Sequence, residues 1–171
     1  ILDLAPFAQQ NHYRFQRVDI RQGIPYQVGE VHAVQMSHVL EHFTWTEGLS
    51  VLREIRRIIR PDGVVRIAVP DARRLTECYP RGEMNEFGEV NDGVENQPSQ
   101  AGKLWELLFS GHQMLYDQEA LCCILREAGF TPKPCKFRET HCGEMGQQIL
   151  RESVDALACL SLFCEAVPLL A

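Results

Sequence analysis

The chain contains 171 residues, of which 45% are hydrophobic, and it carries a formal net charge of −6 at pH 7. This length suits one domain, expected over residues 1–171, that is large enough to bury a core. The acidic balance argues against a nucleic-acid partner, because phosphate binding needs a cationic surface, and no uncharged apolar run approaches the ~20 residues that cross a membrane.

Three strands are predicted in the N-terminal part of the chain. Residues 1–4 are mostly apolar and end at Ala5-Pro6, and residues 13–20 carry strand-forming side chains ahead of an Arg-Gln-Gly turn. Residues 31–37 alternate between apolar and polar side chains, which is typical of a half-buried strand.

A helix and a strand are predicted next. Thr44 and Glu47 have the spacing of a capping box, and apolar residues recur at helical spacing after them. Pro61-Asp62-Gly63 predicts the end of this helix and a turn of the chain. Residues 64–69 form a β-branched run of the kind found in buried parallel strands.

The second half of the chain predicts further helices and strands. Few apolar residues fall between positions 80 and 100, which favours a loop or lid there. The other predicted elements are a helix from Asp71 towards Tyr79, a helix at 102–109, a helix that Asp117 caps and Gly129 ends, an edge strand at 131–137 and a last strand at 161–167. This order of elements indicates an α/β domain with a largely parallel sheet.

The seven cysteines are odd in number, and no pair has C-x-x-C spacing. We interpret them as reduced thiols of a cytoplasmic protein, since the N-terminus also lacks the basic start and long apolar stretch of a signal peptide. Cys135, His141 and Cys142 could bind a metal, but a convincing fourth ligand is lacking, so no metal site is predicted.

A series of motifs links these elements. Ser37-His38-Val39-Leu40-Glu41-His42 follows one predicted strand, and Arg57-Ile58-Ile59-Arg60-Pro61-Asp62-Gly63 precedes the next. This order resembles small-molecule class I S-adenosylmethionine-dependent methyltransferases, in which a strand runs into H-x-L-E-H and a helix then ends in R-x-L-K-P-G-G. Here Asp62 replaces the first Gly of that turn. Residues 19–26 resemble the family's D-x-x-x-x-L-P-F segment, and residues 111–130 resemble its H-x-x-x-Y and E-A-G-F segments.

The resemblance implies a Rossmann-like class I methyltransferase fold, with a mostly parallel sheet, a late antiparallel strand, and reduced N-terminal strands and helices. It implies S-adenosyl-L-methionine as the cofactor, which meets a small-molecule substrate at the carboxyl ends of the strands. The cofactor-binding residues that it implies are Leu4, Ala5, Asp19, Ile20, Ser37, His38 and Glu41. The substrate-binding residues that it implies are Asp71, His112 and Tyr116.

The N-terminal segment departs from the family. Ala5-Pro6-Phe7 stands where such enzymes have a Gly-rich loop, which lets the backbone approach the cofactor. Only about a dozen residues separate residue 4 from Asp19, whereas one crossover alone takes at least ~10–12 residues. Two explanations stay open, namely a missing N-terminal piece or a trimmed form of the fold.

The expected chemistry points to two histidines. Methyl transfer from a sulfonium is an in-line displacement, in which the protein mainly aligns donor and acceptor. A hydroxyl acceptor must also lose its proton, and a histidine can take it near neutral pH. His38 and His112 are therefore the candidate catalytic residues. The structural alternatives are a hydrogen-bonded His38 at a strand end, a His112 at a helix terminus, and an Asp71 that only caps a helix.

Two functions stay open at this point. The first is an active methyltransferase acting on a small molecule or a saccharide-type acceptor, because the resemblance is strongest to predicted methyltransferases often linked with cell-surface polysaccharide genes. The second is a degenerate, inactive methyltransferase-like module that serves binding or dimerisation. The apolar stretches at 157–162 and 167–170 also suggest packing against the sheet or a homodimer.

Overall fold

The computed structural model describes residues 16–85, 92–109, 111–144, 146–147 and 160–169. The strand predicted at residues 1–4 lies outside these described residues. Within them, no helix combines the length and the apolar character that a membrane crossing requires.

Four strands make up one sheet in the described part of the chain. They are β1 (Val31–Ser37), β2 (Ile59–Pro70), β3 (Phe130–Cys135) and β4 (Ser161–Pro168), and they lie side by side in the order β1-β2-β4-β3. β1 pairs with β2 in parallel, and β4 runs antiparallel to both of its neighbours. Three strands therefore run one way and β4 alone is reversed, which confirms the predicted sheet with a late antiparallel strand.

Five helices, three of which begin at a capping polar side chain, occur in the described part of the chain. They are α1 (Trp45–Ile58), α2 (Ala72–Cys78), α3 (Asp92–Glu95), α4 (Gln100–Phe109) and α5 (Gln118–Glu127). Thr44 and Glu47 form the predicted capping box of α1, while Asp71 and Asp117 cap α2 and α5. Gly129 follows α5 with a φ of 88°, a backbone conformation that suits glycine, so the predicted end of this helix is confirmed.

Apolar side chains of the described residues form one main core and one smaller cluster. The main core lies between the sheet and helices α1 and α5, with Leu52, Ile67 and Ile124 at most 2% exposed. The smaller cluster includes Leu107, Met84 and Val94. Residues 80–100, predicted as a loop or lid, thus contain a short helix and two fully buried side chains in their described part.

The strand predicted at residues 13–20 is wrong in its described part. Residues 16–19 have no regular structure, and Ile20–Gln22 forms a 3-10 turn. The Asp19 carboxylate accepts a hydrogen bond from the backbone N–H of Arg21 at 3.1 Å. Such a local bond competes with strand pairing, and the propensity of neighbouring side chains does not reveal it.

The turn predicted at Pro61-Asp62-Gly63 lies inside β2 instead. Helix α1 ends at Ile58, and the pairing of β2 with β1 shifts between the partners of Val31 and Ala33. A Cβ atom on Gly63 would lie 2.6 Å from Ile59 Cγ1 and 2.8 Å from the His32 carbonyl oxygen. Only glycine fits this close approach. Gly63, which the sequence predicts to be part of a turn, instead allows the irregular pairing of β2 with β1.

A buried ion pair lies on the sheet face opposite the main core. Arg66 on β2 faces Glu165 on β4, with Nη1 and Oε1 3.3 Å apart and side chains 1% and 0% exposed. Arg66 also donates to the Glu139 carbonyl at 2.9 Å, and the His141 N–H donates to Glu165 Oε2 at 2.7 Å. The pair therefore attaches the segment after β3 to the centre of the sheet.

We predict that Glu165→Gln lowers the free energy of unfolding by about 3–5 kcal/mol, because it leaves the Arg66 guanidinium buried without its counter-charge. Urea denaturation followed by circular dichroism measures this value. The matched control is Asp62→Asn, which breaks the exposed pair with Arg60 and should change stability by no more than about 0.5 kcal/mol. Equal effects of the two variants would contradict the prediction.

Candidate active site

The carboxyl ends of β1 and β2 meet at one edge of the sheet. Ser37 pairs with Ala68, and Asp71 directly follows β2. The His38 N–H donates to the Ala68 carbonyl at 2.9 Å, and His38 has a φ of 52°, in the left-handed region that few non-glycine residues adopt. The chain thus turns sharply out of β1 into the 3-10 turn Leu40–His42.

The ring of His38 lies between a hydroxyl and a carboxylate. Its Nε2 is 2.8 Å from Ser161 Oγ at the start of β4, and its Nδ1 is 3.2 Å from Glu41 Oε1. A proton on Nδ1 avoids opposing a ring lone pair to the carboxylate, so this tautomer fits the surroundings best. Nε2 then accepts the hydrogen bond of the Ser161 hydroxyl.

Glu41 is the most unusual group at this edge. Its side chain is 1% exposed, yet neither carboxylate oxygen has a hydrogen-bond partner in the described part of the chain. The approach of His38 is an ion-pair distance without hydrogen-bond geometry. A buried carboxylate is expensive unless it is paired or bound to a metal, so this position requires an explanation.

Two further polar groups near Glu41 are buried without partners, His112 Nδ1 and the Tyr116 hydroxyl. Burial lowers the pKa of His112, an effect that the negative charge of Glu41 opposes. Burial, together with the same charge, raises the pKa of Tyr116 to about 12. Both side chains are therefore neutral at pH 7.

Hydrogen bonds join the two segments that carry these groups. The backbone N–H groups of Gln113 and Met114 donate to the Glu41 carbonyl at 2.8 and 3.1 Å. His42 Nδ1 donates to the Gly111 carbonyl at 2.9 Å, and the rings of His42 and His112 lie 4.9 Å apart, edge to face. The turn after β1 and the loop at 111–116 therefore form one connected unit.

The structure brings several of the predicted site residues together and separates others. His38, Glu41, His112 and Tyr116 lie around one buried centre, and Ser37 lies beside them at the end of β1. Asp71 is at the same edge, where its carboxylate accepts a hydrogen bond from the Arg74 N–H at 3.2 Å. It therefore caps α2, which is the structural role that the sequence suggests as the alternative to substrate binding.

The residues predicted for the adenosine side of the cofactor lie elsewhere. The exposed Asp19 carboxylate accepts from the side chains of Arg21 and Gln22, and Ile20 packs against the main core. Leu4 and Ala5 lie outside the described residues. Contacts of these four residues with a cofactor remain predictions.

Sequence reasoning missed two members of the site. Ser161 contacts His38 across 123 positions of sequence, and no local pattern signals such a contact. His42 belongs to the H-x-L-E-H motif, but the sequence favours a structural role for it, which is to complement the positive end of the helix and fix the loop, over direct contact with a ligand.

One group of metal-ligating side chains is present in the described part of the chain. Glu41, His42 and His112 each offer one ligand atom, and these atoms lie within 4.8 Å of one another. Cys135, His141 and Cys142 form no such group among the described residues. Burial raises the pKa of the Cys142 thiol to about 12, with the Glu165 carboxylate adding to the effect, so this thiol stays protonated near neutral pH.

Two cavities in the described part of the chain have none of these buried groups in their lining. A cavity of about 420 Å³ is lined by charged groups that include Asp71 and Arg126. A second cavity, of about 580 Å³, runs along β1 and is lined mainly by apolar side chains such as Val34, Met36 and Ile55. The groups suited to proton transfer or metal binding belong to the buried unit around Glu41.

Comparison with known protein families gives one match. Residues 4–133 match the family model described as Methyltransferase domain, which covers more than half of the chain. A search of curated protein sequences finds no match.

Several solved structures have a similar fold. The PH0226 protein from Pyrococcus horikoshii OT3 is similar at 15% identity and a TM-score of 0.53, over 95% of this chain and 64% of that one. The mitomycin 7-O-methyltransferase MmcR is similar at 13% identity and a TM-score of 0.52, over 96% and 37%. A SAM-dependent methyltransferase from Aquifex aeolicus gives 12% identity and a TM-score of 0.54, over 96% and 61%. This chain spans less than two thirds of each of them, and at these identities the likeness concerns the fold.

We predict that Glu41→Gln raises the free energy of unfolding by about 1–3 kcal/mol in buffer that contains a chelator, because it removes a buried charge that lacks a hydrogen-bond partner. Urea denaturation measures the change, and the exposed Glu77→Gln is the matched control, expected within about 0.5 kcal/mol of the unmodified chain. A loss of stability in Glu41→Gln would show that the carboxylate is stabilised where it lies.

Proposed function

This chain belongs to the methyltransferase domain family, and from that premise we propose that it transfers the methyl group of S-adenosylmethionine to a hydroxyl oxygen of a small-molecule or saccharide-type acceptor. The observation that carries the proposal is the placement of His38 and Glu41 where β1 ends beside β2. In open α/β sheets, ligands bind outside the carboxyl ends of the strands.

The described residues support the proposal at the methyl-bearing end of S-adenosylmethionine and offer no support at its adenosine end. His38 and Glu41 supply a base and an unpartnered carboxylate at the strand edge where methyl donor and acceptor are expected to meet. The Asp19 carboxylate is already engaged with its own neighbours, and Leu4 and Ala5 lie outside the described residues. The roles below therefore concern the acceptor side.

His38 is the proposed base. S-adenosylmethionine supplies an activated methyl group when it is bound, so the acceptor oxygen needs alignment and the loss of its proton. As the new oxygen–carbon bond forms and the carbon–sulfur bond breaks, that proton passes to His38 Nε2, with the Ser161 hydroxyl 2.8 Å away as the relay. The Glu41 carboxylate, 3.2 Å from Nδ1, stabilises the imidazolium that results.

His112 and Tyr116 are the proposed acceptor-binding residues. Each has a buried polar atom without a partner in the described part of the chain, and an acceptor hydroxyl that enters the buried unit would satisfy it. Unpartnered hydrogen-bonding atoms of this kind suit a hydroxylated acceptor such as a sugar or another alcohol.

The alternative function is a degenerate methyltransferase-like module that binds or dimerises without catalysis. The engaged Asp19 carboxylate favours this alternative, because the residue expected on the adenosine side is not free. Titration of the full chain with S-adenosylhomocysteine by calorimetry distinguishes the two. We expect saturable heat, and a folded chain that gives no heat at high ligand concentration would favour the module.

We predict that His38→Asn lowers kcat by about 10²–10⁴-fold, the range typical for loss of a general base, with little change in the calorimetric Kd for S-adenosylhomocysteine. Asparagine keeps the left-handed backbone conformation of position 38 but cannot take up a proton. Release of S-adenosylhomocysteine is measured with a panel of monosaccharides and other small alcohols. His32→Asn, an exposed position on β1, is the matched control, and equal kcat values for the two variants would refute the role of His38.

A further inference from the structure

Glu41, His42 and His112 are gathered in a way that suits one metal ion. One ligand atom from each lies within 4.8 Å of the other two. Nitrogen and oxygen ligands sit about 2.0–2.2 Å from zinc, so three ligands of one ion lie roughly 3–4 Å apart. At up to 4.8 Å apart, the ligand atoms of these three groups stand slightly wider than the spacing that one ion sets.

Unpartnered buried atoms point independently to a cation in the same place. Glu41 is 1% exposed and neither of its oxygens has a hydrogen-bond partner, and His112 Nδ1 is also buried without one. Buried charges in proteins are paired or coordinate metals. One cation at this position would satisfy both groups, which hydrogen bonds within the described residues do not.

Hydrogen bonds fix the two segments that carry the ligands. His42 Nδ1 donates to the Gly111 carbonyl, which leaves the Nε2 lone pair free, and metal-ligating histidines characteristically donate their other ring N–H in this way. The Gln113 side chain donates to the His42 carbonyl at 3.0 Å, and the Gln113 N–H donates to the Glu41 carbonyl. The two ligand-bearing segments are thus fixed to each other before any ion arrives.

We propose that Glu41, His42 and His112 form a binding site for a divalent transition-metal ion of the zinc type, with an open position for the oxygen of the acceptor. Two imidazoles and one carboxylate suit zinc and its neighbours, whereas magnesium prefers oxygen ligands. Three protein ligands are typical of catalytic zinc sites, which keep a further position for water or substrate.

The role of the open position rests on the proposed methyl transfer, while the metal site itself does not. With the ion bound, His112 holds the acceptor oxygen through the ion instead of through a direct hydrogen bond. A hydroxyl that binds a divalent cation loses its proton far more readily than a free one. The acceptor class that follows is a molecule whose hydroxyl oxygen can bind a metal ion. The oxygen would give its proton to His38 through the Ser161 hydroxyl and form its bond to the methyl carbon, while the carbon–sulfur bond breaks and S-adenosylhomocysteine leaves.

The test of the site is calorimetry on the full, untagged chain after chelator treatment and removal of the chelator. We expect one equivalent of Zn²⁺ to bind, and Glu41→Gln and His112→Ala to weaken binding at least about 100-fold. Circular dichroism confirms that each variant is folded. His32→Asn, which lies outside the group, should bind Zn²⁺ like the unmodified chain.

Three results would overturn the site. They are the absence of stoichiometric Zn²⁺ binding by the folded chain, equal binding by Glu41→Gln and the unmodified chain, and Mg²⁺ binding as tight as that of Zn²⁺. Because these titrations contain no S-adenosylmethionine, their outcome is independent of the S-adenosylhomocysteine titration. Zinc binding without S-adenosylhomocysteine binding would leave the metal site standing and remove the proposed methyl transfer, and the reverse result would remove the metal site alone.

A separate experiment tests whether the metal ion keeps an open coordination position. The visible spectrum of the Co²⁺-loaded chain should change when acetohydroxamate, a small oxygen-donor chelator, is added, and the Co²⁺ should remain bound to the protein through a filtration step. An unchanged spectrum would show a closed, structural metal site and would overturn the open position.

Discussion

The parallel pairing of β1 with β2 decides where the site residues can lie. Because the two strands run the same way, they end at the same edge, where Ser37 lies opposite Ala68 and Asp71 follows directly. The turn after β1 and the loop at 111–116 then meet over this edge through hydrogen bonds to the Glu41 carbonyl. A register shift of one residue in β1 would turn its side chains to the other face of the sheet and separate these groups.

Two buried glutamates show how differently the same side chain can act within one fold. Glu165 and Glu41 are 0% and 1% exposed. Glu165 faces the Arg66 guanidinium and accepts a backbone N–H, so its charge is compensated. Glu41 has histidines and a tyrosine around it but no hydrogen-bond partner. Glu165 therefore contributes to holding the sheet together. Glu41 lowers the stability of the fold, and proteins retain such residues at functional sites.

Local rules predicted most of the fold, and contacts distant in sequence were beyond them. The Thr44–Glu47 capping box, strand β1 and the ends of the last helix follow from residues a few positions apart, so the sequence alone predicts them. The pairs His38–Ser161 and Arg66–Glu165 join residues 123 and 99 positions apart, and single-chain periodicity carries no signal for them. The H-x-L-E-H motif predicts the candidate site through a resemblance, but nothing in it predicts that the Glu41 carboxylate lacks a hydrogen-bond partner.

The backbone at His38 has a consequence for natural variation in this fold. A φ of 52° costs a residue with a side chain roughly 1–2 kcal/mol, whereas glycine adopts it without strain and asparagine with little. A lineage selected only to fold would drift towards glycine or asparagine at this position, since either replacement relieves the strain. If histidine is retained there despite the conformational cost, the imidazole itself has been selected. The residue at position 38 should therefore distinguish active homologues of this fold from inactive ones.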